Sequence, residues 1–236
     1  MAEQGEKFDP KAYIPTITGY YSTAKGEMLS LPYNSSTAVF YYNKDAFRKA
    51  GLDVEKPPKT WPELFDAARK LKAAGYEYGL TTNWISWIQL ENFSAWHNLP
   101  YGTKTNGFDG LDTEFVINGP VQVRHFENLY KLSKEKVFVY GGRENKANSL
   151  FTSGQVPIHF ESIGGYGNMK ATCKFDFGVA MLPYYPDVPG APQNSIIGGA
   201  SLWVMGKKSA AEYKAVAKFF TFLSRILGLV RDAVMA

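Results

Sequence analysis

A turn of small residues follows a short apolar segment in the second half of the chain. Ser162 is followed by Gly164 and Gly165, and the preceding segment 156–160 predicts a buried strand. Backbone N–H groups at the start of a helix attract anions, and a hydroxyl beside two glycines lets an anion approach closely. The turn is therefore a candidate anion site, with an ordinary turn as the alternative. Its spacing matches neither of the glycine-rich nucleotide-binding fingerprints.

Two other segments carry groups that suit a polar ligand. Asn34, Ser35 and Ser36 place an amide and two hydroxyls just before a predicted strand. Gly198 and Gly199 lie in an apolar run, where paired glycines let another group approach the backbone. Gly199→Val would push a branched side chain towards a ligand bound there and is expected to weaken binding more than folding. The alternatives are a solvated turn for the first segment and a β-bulge for the second.

Three tryptophans lie on or near one predicted helix. Trp84 and Trp87 are three residues apart, which makes them neighbours on a helical face, and Trp96 follows. We interpret Trp87 and Trp96 as core residues. Trp84 stands at the start of the helix, so its ring is the candidate to pack on the carbon atoms of a ligand.

The residue types and spacings that catalysis or metal binding requires are missing from the sequence. There is no GxSxG motif, and Glu91 is a lone acid on a predicted helix. His97, His125 and His159 have no metal-ligand spacing and are expected to be packed or surface residues. The single Cys173 excludes an internal disulfide and a multi-cysteine zinc site. The sequence thus predicts a non-enzyme without metal or cofactor.

Composition narrows the class of protein further. The 236 residues carry 26 basic and 22 acidic side chains, a net charge of +4, which is too mild to indicate a nucleic-acid partner. The sequence contains no run of about 18 apolar residues, so no membrane span is predicted. The opening MAEQGEKFDP is polar, so we expect no signal peptide within this chain.

Short apolar runs alternate with amphipathic helices, a pattern that predicts an α/β fold. Asn43 can cap a helix, and two capping boxes are formed by Thr60 with Glu63 and by Ser209 with Glu212. The predicted strands are 36–42, 78–82, 156–160, 175–182 and 196–205. The predicted helices include 85–96 and one that begins at Asn118 and Pro120 and runs through Val123, Phe126, Leu129 and Leu132.

Four segments together resemble the extracellular solute-binding proteins of ABC importers, of the maltose-binding type. They are NSSTAVFYYNKDAFRKAGL, PPKTWPELFDAARKLKAAG, WIQLENFSAW and APQNSIIGGASLWVM. The YYNKDAF element is common to many sugar binders, whereas WIQLENFSAW and QNSIIGGASLWVM are typical of the branch that binds sn-glycerol-3-phosphate. The resemblance extends to about Leu223.

The resemblance implies a periplasmic-binding-protein-like fold with two lobes joined by crossing strands. By that resemblance, 38–197 forms the second lobe, and 1–37 with 198–236 forms the crossing segments and a remnant of a largely missing first lobe. The implied function is capture of sn-glycerol-3-phosphate or a glycerophosphodiester in the interlobe cleft. The implied partners are the membrane subunits of an ABC permease. The protein is then expected to be periplasmic, and a monomer when full length.

Four residues are implied as ligand-binding by the same resemblance: Ser36, Ser162, Gly199 and Trp84. We expect the two serines and Gly199 to line one cleft. Glu161 would repel a phosphate unless the alternation of side chains along the strand points it away.

Several expectations qualify this interpretation. Family members are longer, so the chain is expected to be a central fragment that binds its ligand weakly or not at all. The family's phosphate-binding arginine has no counterpart, and the sequence after Leu223 departs from the family. The alternatives are a binder of a sugar or oligosaccharide, a carbohydrate-active hydrolase built on an aromatic platform, and a non-functional truncated product.

Overall fold

The computed structural model describes residues 4–7, 9 and 13–235, with side chains described as far as Arg225. The chain divides into two compact units, Ser36–Gly198 on the one hand and Met1–Ser35 with Gly199–Ala236 on the other. The assignment of these units to lobes of a binding protein stays a prediction.

Strands and helices are interspersed along the chain, as in an α/β protein. The strands are β1 (Leu31–Ser36), β2 (Ala38–Asn43), β3 (Leu80–Thr82), β4 (Phe138–Val139), β5 (Ile158–Ser162), β6 (Phe177–Ala180) and β7 (Gly198–Leu202). The α-helices are α1 (Pro15–Tyr20), α2 (Lys44–Lys49), α3 (Trp61–Ala73), α4 (Phe93–Trp96), α5 (Thr103–Asn106), α6 (Pro120–Lys134), α7 (Asn148–Thr152), α8 (Tyr166–Thr172) and α9 (Ala210–Met235). A π-helix, Trp87–Asn92, leads into α4, and a 3₁₀ turn, Ile163–Gly165, precedes α8. Over the part of the chain that is described, no helix has the length and apolarity to span a membrane.

A mixed five-stranded sheet in the order β4-β3-β5-β2-β6 forms the centre of the larger unit. Strand β3 runs parallel to β4 and β5, whereas β2 is antiparallel to β5 and β6. Every residue of β2 is buried. Because side chains alternate along a strand, Phe40 and Tyr42 face one apolar cluster and Val39 and Tyr41 face another. The β-branched and aromatic run of β2 is therefore explained by burial on both faces.

The predicted helix starts are confirmed by the hydrogen bonds at the caps. The Asn43 side chain accepts from the N–H of Ala46 at the start of α2. Thr60 and Glu63 form a reciprocal capping box at the start of α3. Ser209 and Glu212 do the same ahead of α9, because each side chain accepts from the other's backbone N–H. These starts are local, so the residues within four positions decide them.

The helix predicted from Asn118 and Pro120 is confirmed, with Gly119 as its N-cap residue. The buried residues of α6 are Gln122, His125, Leu129 and Leu132. Val123 and Phe126 are 44% and 37% exposed, and both line an open groove of about 540 Å³. Apolar character alone therefore does not identify the inner face of this helix.

The structure corrects one predicted strand. Ser36 ends β1 instead of opening β2, since the chain breaks its pairing at Thr37. The segment 85–96 is helical as predicted, and part of it is the π-helix, whose N–H groups bond five residues back. Within it, the Asn92 side-chain amide donates to the Trp87 carbonyl at 2.9 Å. Over six residues, apolar spacing does not separate a π-helix from an α-helix.

All three histidines are packed in the interior. His97 donates from Nδ1 to the Phe93 carbonyl at 2.7 Å and accepts the Tyr185 N–H at Nε2, which fixes a neutral tautomer. His125 bonds to Gln89 and stacks on the Phe93 ring. Burial lowers the pKa of His97 to about 4 and that of His159 to about 3, and it lowers the pKa of His125 well below its usual value.

These neutral histidines predict a loss of stability in mild acid. The unfolded chain takes up protons near the ordinary histidine pKa of about 6.5, whereas the folded chain does not until lower pH. The free energy of unfolding should therefore fall as the pH drops from about 6.5 towards the folded-state values. Urea denaturation between pH 7.5 and 5 measures this trend. Native histidine ring resonances that titrate near pH 6.5 would contradict it.

Gly199 has a backbone conformation and surroundings that exclude a side chain. Its φ is +134°, and a Cβ placed on it would lie 2.2 Å from the Asn34 carbonyl oxygen on β1. The next residue is anchored on the same neighbour, since the Ala200 N–H donates to Asn34 Oδ1 at 2.8 Å. The expectation that a side chain at Gly199 would affect binding more than folding is therefore wrong, because that side chain would separate β7 from β1.

We expect Gly199→Ala to lower the free energy of unfolding by about 1–3 kcal/mol, through backbone strain and contact with Asn34. Gly206→Ala is the matched control, because a Cβ there meets nothing within 4 Å. Its effect should stay within about 0.5 kcal/mol. Urea denaturation followed by tryptophan fluorescence measures both. Equal stability of the two variants would contradict the prediction.

Candidate functional site

Two of the predicted site residues meet at the turn that follows β5. Ala38 pairs with Ser162 across β2 and β5, so the end of β1 lies beside the end of β5. The Ser36 Cβ and the Ser162 Oγ both lie within 4 Å of the position that a Cβ on Gly164 would occupy. Two hydroxyl-bearing residues that are distant in the sequence therefore flank the same glycine.

Ser162 itself caps the turn. Its Oγ accepts the N–H of Gly164 at 3.1 Å, and the Ile163 N–H donates to the Thr37 carbonyl at 2.9 Å. The backbone N–H groups of Ile163 and Gly164 are thus already bonded within the protein, whereas the sequence predicted free N–H groups at this turn. The Ser162 hydroxyl hydrogen is still able to donate, because its oxygen acts as the acceptor in the cap.

Sequence reasoning missed two hydroxyls at this end of the sheet. The side chains of Thr37 and Ser195 are hydrogen-bonded to each other, and the Thr37 backbone holds the Ser162 turn. No spacing rule joins Thr37 to Ser195, since 158 positions separate them. Their only sequence signal is that both lie in the segments that carry the family resemblance.

Trp87, interpreted from the sequence as a core residue, also borders this site. A Cβ on Gly198 would lie 2.9 Å from the Trp87 Cζ2 and 3.3 Å from the Ser36 Oγ. The ring edge of Trp87 therefore lies close to Ser36, while the rest of the side chain packs against the larger core cluster. Gly198 is needed there because any side chain would enter this contact.

Trp84 is the exposed aromatic residue that the sequence singled out. Its side chain is 39% exposed, and its φ of 43° is a conformation that bulky residues rarely adopt. The Trp84 N–H donates to the Glu144 carbonyl, and its own carbonyl accepts from the Ile88 N–H. These two bonds hold the strained backbone at the entry to the π-helix.

Glu161 lies on the opposite face of β5 from Ser162 and is buried. One oxygen accepts the Ser162 N–H at 2.6 Å, and the other accepts the Asn83 side-chain amide. Burial raises the pKa of this carboxyl, and hydrogen bonds from Ser162, Asn83 and Trp84 oppose that rise. The carboxylate is therefore already occupied by N–H donors.

Gly199 belongs to the other compact unit. That it shares a cleft with Ser36 and Ser162 stays a prediction. The roles of Ser36, Ser162, Gly199 and Trp84 in ligand binding are likewise predictions. Among the residues that the structure describes, no three histidine, cysteine or acidic side chains are grouped closely enough to hold a metal ion.

Comparison with known proteins identifies the family. The model for "Bacterial extracellular solute-binding protein" matches residues 1–225. The chain is 51% identical over 224 residues to the sn-glycerol-3-phosphate-binding periplasmic protein UgpB of Pectobacterium atrosepticum. It is 53% identical over 226 residues to the protein of the same name from Rhizobium meliloti. These matches cover 94% and 95% of this chain but 50% and 52% of the relatives, so the chain spans about half of their length.

Solved structures of the same fold extend the comparison. UgpB from Mycobacterium tuberculosis, in complex with glycerophosphocholine, superposes with a TM-score of 0.76 at 24% identity and covers 94% of this chain and 55% of its own. Maltose-bound MalE3 of T. maritima superposes with a TM-score of 0.70 at 21% identity, covering 90% and 54%. The predicted α/β, maltose-binding type of fold is confirmed.

The resemblance drawn from the four sequence segments is confirmed over almost the whole chain. The family model covers 225 of 236 residues, and the fold and the relatives agree with it. The chain belongs to the bacterial extracellular solute-binding proteins.

Proposed function

We propose that this chain is part of a periplasmic protein that captures sn-glycerol-3-phosphate or a glycerophosphodiester and delivers it to the membrane permease of an ABC importer. The observation that carries the proposal is 51–53% identity to proteins named for binding sn-glycerol-3-phosphate. The partners are the small ligand and the permease subunits. No catalytic step is involved, and the full-length protein acts as a monomer.

The hydroxyl groups at the Ser162 turn suit a phosphate. Because the Ser162 oxygen accepts the Gly164 N–H, its hydrogen can donate to an anion. Ser36, whose Cβ also lies near Gly164 and whose Oγ lies near Gly198, adds a second hydroxyl donor to the proposed site. Hydrogen bonds to a charged oxygen are roughly twice as strong as neutral ones. In the proposed site these two serines therefore bind phosphate oxygens.

Aromatic side chains suit the carbon skeleton of such a ligand. The ring edge of Trp87 lies close to Ser36. Trp84 follows β3, which runs parallel to β5, and its side chain is 39% exposed. We assign Trp84 to the glycerol carbons, and we assign the Gly199 backbone to the ligand's polar edge, as the family resemblance implies. A ring offers contact area at little cost in side-chain entropy.

The first prediction concerns ligand choice. We expect the full-length protein to bind sn-glycerol-3-phosphate or glycerophosphocholine in preference to maltose, because the proposed site presents hydroxyl donors beside a capped turn. Isothermal titration calorimetry with the three ligands measures this, with the P. atrosepticum relative as positive control. Heat with maltose and none with either phosphate ligand would assign the chain to the sugar binders.

The second prediction concerns Ser162. Ser162→Ala removes one hydrogen bond to a charged oxygen, which is worth about 1.5–3 kcal/mol of binding free energy. Ser133→Ala, at an exposed position on α6, is the matched control and should leave the dissociation constant unchanged. Calorimetry on both variants of the full-length protein tests the assignment. A Ser162→Ala variant that binds as tightly as the wild type would remove Ser162 from the site.

A further inference from the structure

Thr37 and Ser195 carry two partly buried hydroxyl groups to which the proposed function gives no role. Their side chains are hydrogen-bonded to each other, although 158 positions separate them. The larger compact unit begins at Ser36 and ends at Gly198, so each hydroxyl lies close to one end of that unit. The bond therefore joins the first and last segments of the unit.

Thr37 also holds the Ser162 turn. Its backbone carbonyl accepts the Ile163 N–H at 2.9 Å, and the next residue, Ala38, pairs with Ser162 in the sheet. The same residue bonds to Ser195 through its side chain. Thr37 is therefore the point at which the turn and the last segment of the unit are both fixed.

The segment that carries Ser195 depends on such contacts, because residues 193–197 lie outside the helices and strands. At its end, Gly198 lies against Ser36, since a Cβ on Gly198 would be 3.3 Å from the Ser36 Oγ. Ser195 comes three residues earlier in the chain. Its bond to Thr37 therefore limits how far the segment can move away from Ser36.

The two hydroxyls satisfy each other only as a pair. One donates and the other accepts, and either oxygen can be the donor. Removing one hydroxyl leaves the other without this partner, which costs more than replacing both by apolar groups of the same shape. Packing alone would be served by an apolar pair. What the hydroxyls add is a directional bond, which fixes the distance and the orientation between two distant segments.

We propose that Thr37 and Ser195 are positioning residues of the ligand site. Their mutual bond keeps the Ser36 hydroxyl and the Ser162 turn in the arrangement that binds the phosphate. The proposal rests on the proposed function, and it assigns neither hydroxyl a contact with the ligand. Thr37 acts through its neighbour Ser36 and through the turn. Ser195 acts through Gly198, which lies against Ser36.

The ligand-free chain provides the first test. Thr37→Val removes the hydroxyl and keeps the β-branched shape. In an assigned ¹H–¹⁵N spectrum it should shift the Gly198 amide signal, because the segment before Gly198 loses its tether. Thr37→Ser keeps the hydroxyl and should leave the signal at its wild-type position. An unmoved Gly198 signal in Thr37→Val, or an equal shift in Thr37→Ser, would overturn the proposal.

Thr113→Val is the matched control for the loss of a threonine hydroxyl. The Thr113 hydroxyl is also partly buried and donates to the Gly110 carbonyl at 2.8 Å. Its removal should leave the Gly198 signal where it is in the wild type. A shift of that signal in Thr113→Val would show that the signal responds to any lost hydroxyl, and would count against the proposal.

The binding of sn-glycerol-3-phosphate to the full-length protein provides the second test. Thr37→Val and Ser195→Ala should each weaken binding about tenfold, the factor that corresponds to ~1.4 kcal/mol. The double variant should bind no more weakly than either single variant, because both changes break the same bond. Thr37→Ser should bind as the wild type does. Calorimetry measures all four, and additive effects or wild-type affinity in Thr37→Val would overturn the proposal.

A purely structural role predicts a different result. It would lower the unfolding midpoint and leave the affinity of the folded fraction unchanged, which is the outcome expected of Thr113→Val. If Thr37→Val does not fold, Ser195→Ala breaks the same bond from the other side. Wild-type affinity in Ser195→Ala would then overturn the proposal.

Failure of the proposed function gives a separate result. If the wild-type full-length protein binds no phosphate ligand, the proposed function fails. The Gly198 signal is measured without ligand, so it still decides whether the bond between Thr37 and Ser195 holds the segment against Ser36.

Discussion

The antiparallel register between β2 and β5 pairs Ala38 with Ser162 at one end and Tyr42 with Ile158 at the other. Because β2 is buried on both faces, a shift by one residue would exchange Phe40 and Tyr42 with Val39 and Tyr41 between two different cores. The hydrophobic packing therefore allows one register only. That register carries the end of β1 to the Ser162 turn and brings the two serines to the same glycine.

A layer of polar side chains lies behind that turn. Its hydrogen-bonding groups are paired almost entirely with side-chain amides and backbone N–H groups. Asn83 is the central member, since it contacts Glu161, Asn148 and the Ala147 N–H. Such networks stabilise one arrangement when every member is paired and are costly when one is not. The His159 Nδ1 is the exception, since it has no hydrogen-bond partner there. The layer thus connects β3, β5 and α7 at the edge where the candidate site lies.

The comparisons show how one fold accommodates different ligands. A glycerophosphocholine complex and a maltose complex both superpose on this chain at less than 25% identity. The fold is therefore common to binders of unlike molecules, so the fold alone does not identify the ligand. In this chain the Ser162 hydroxyl and the Ser36 Cβ lie near Gly164, and the Ser36 hydroxyl and the Trp87 ring edge both border Gly198.

The sequence alone determined the features that depend on neighbouring residues. The caps at Asn43, at Thr60 with Glu63 and at Ser209 with Glu212 each involve residues within four positions, and all were predictable. The α/β class was predictable from the alternation of elements, and the family from four continuous segments.

Only the tertiary structure decided which distant residues meet. The Thr37–Ser195 bond, the Trp87 ring beside Ser36 and the Asn83 amide on Glu161 join residues that no periodicity connects. The exposure of Val123 and Phe126 likewise depended on what packs against α6, where Gln122 and His125 find partners and turn inward. Gly199 is a further case. A side chain there would collide with the Asn34 carbonyl, which lies on a strand 165 positions earlier. Local propensity acts over a few residues, whereas these contacts are set by strand register and by the packing of helices on the sheet.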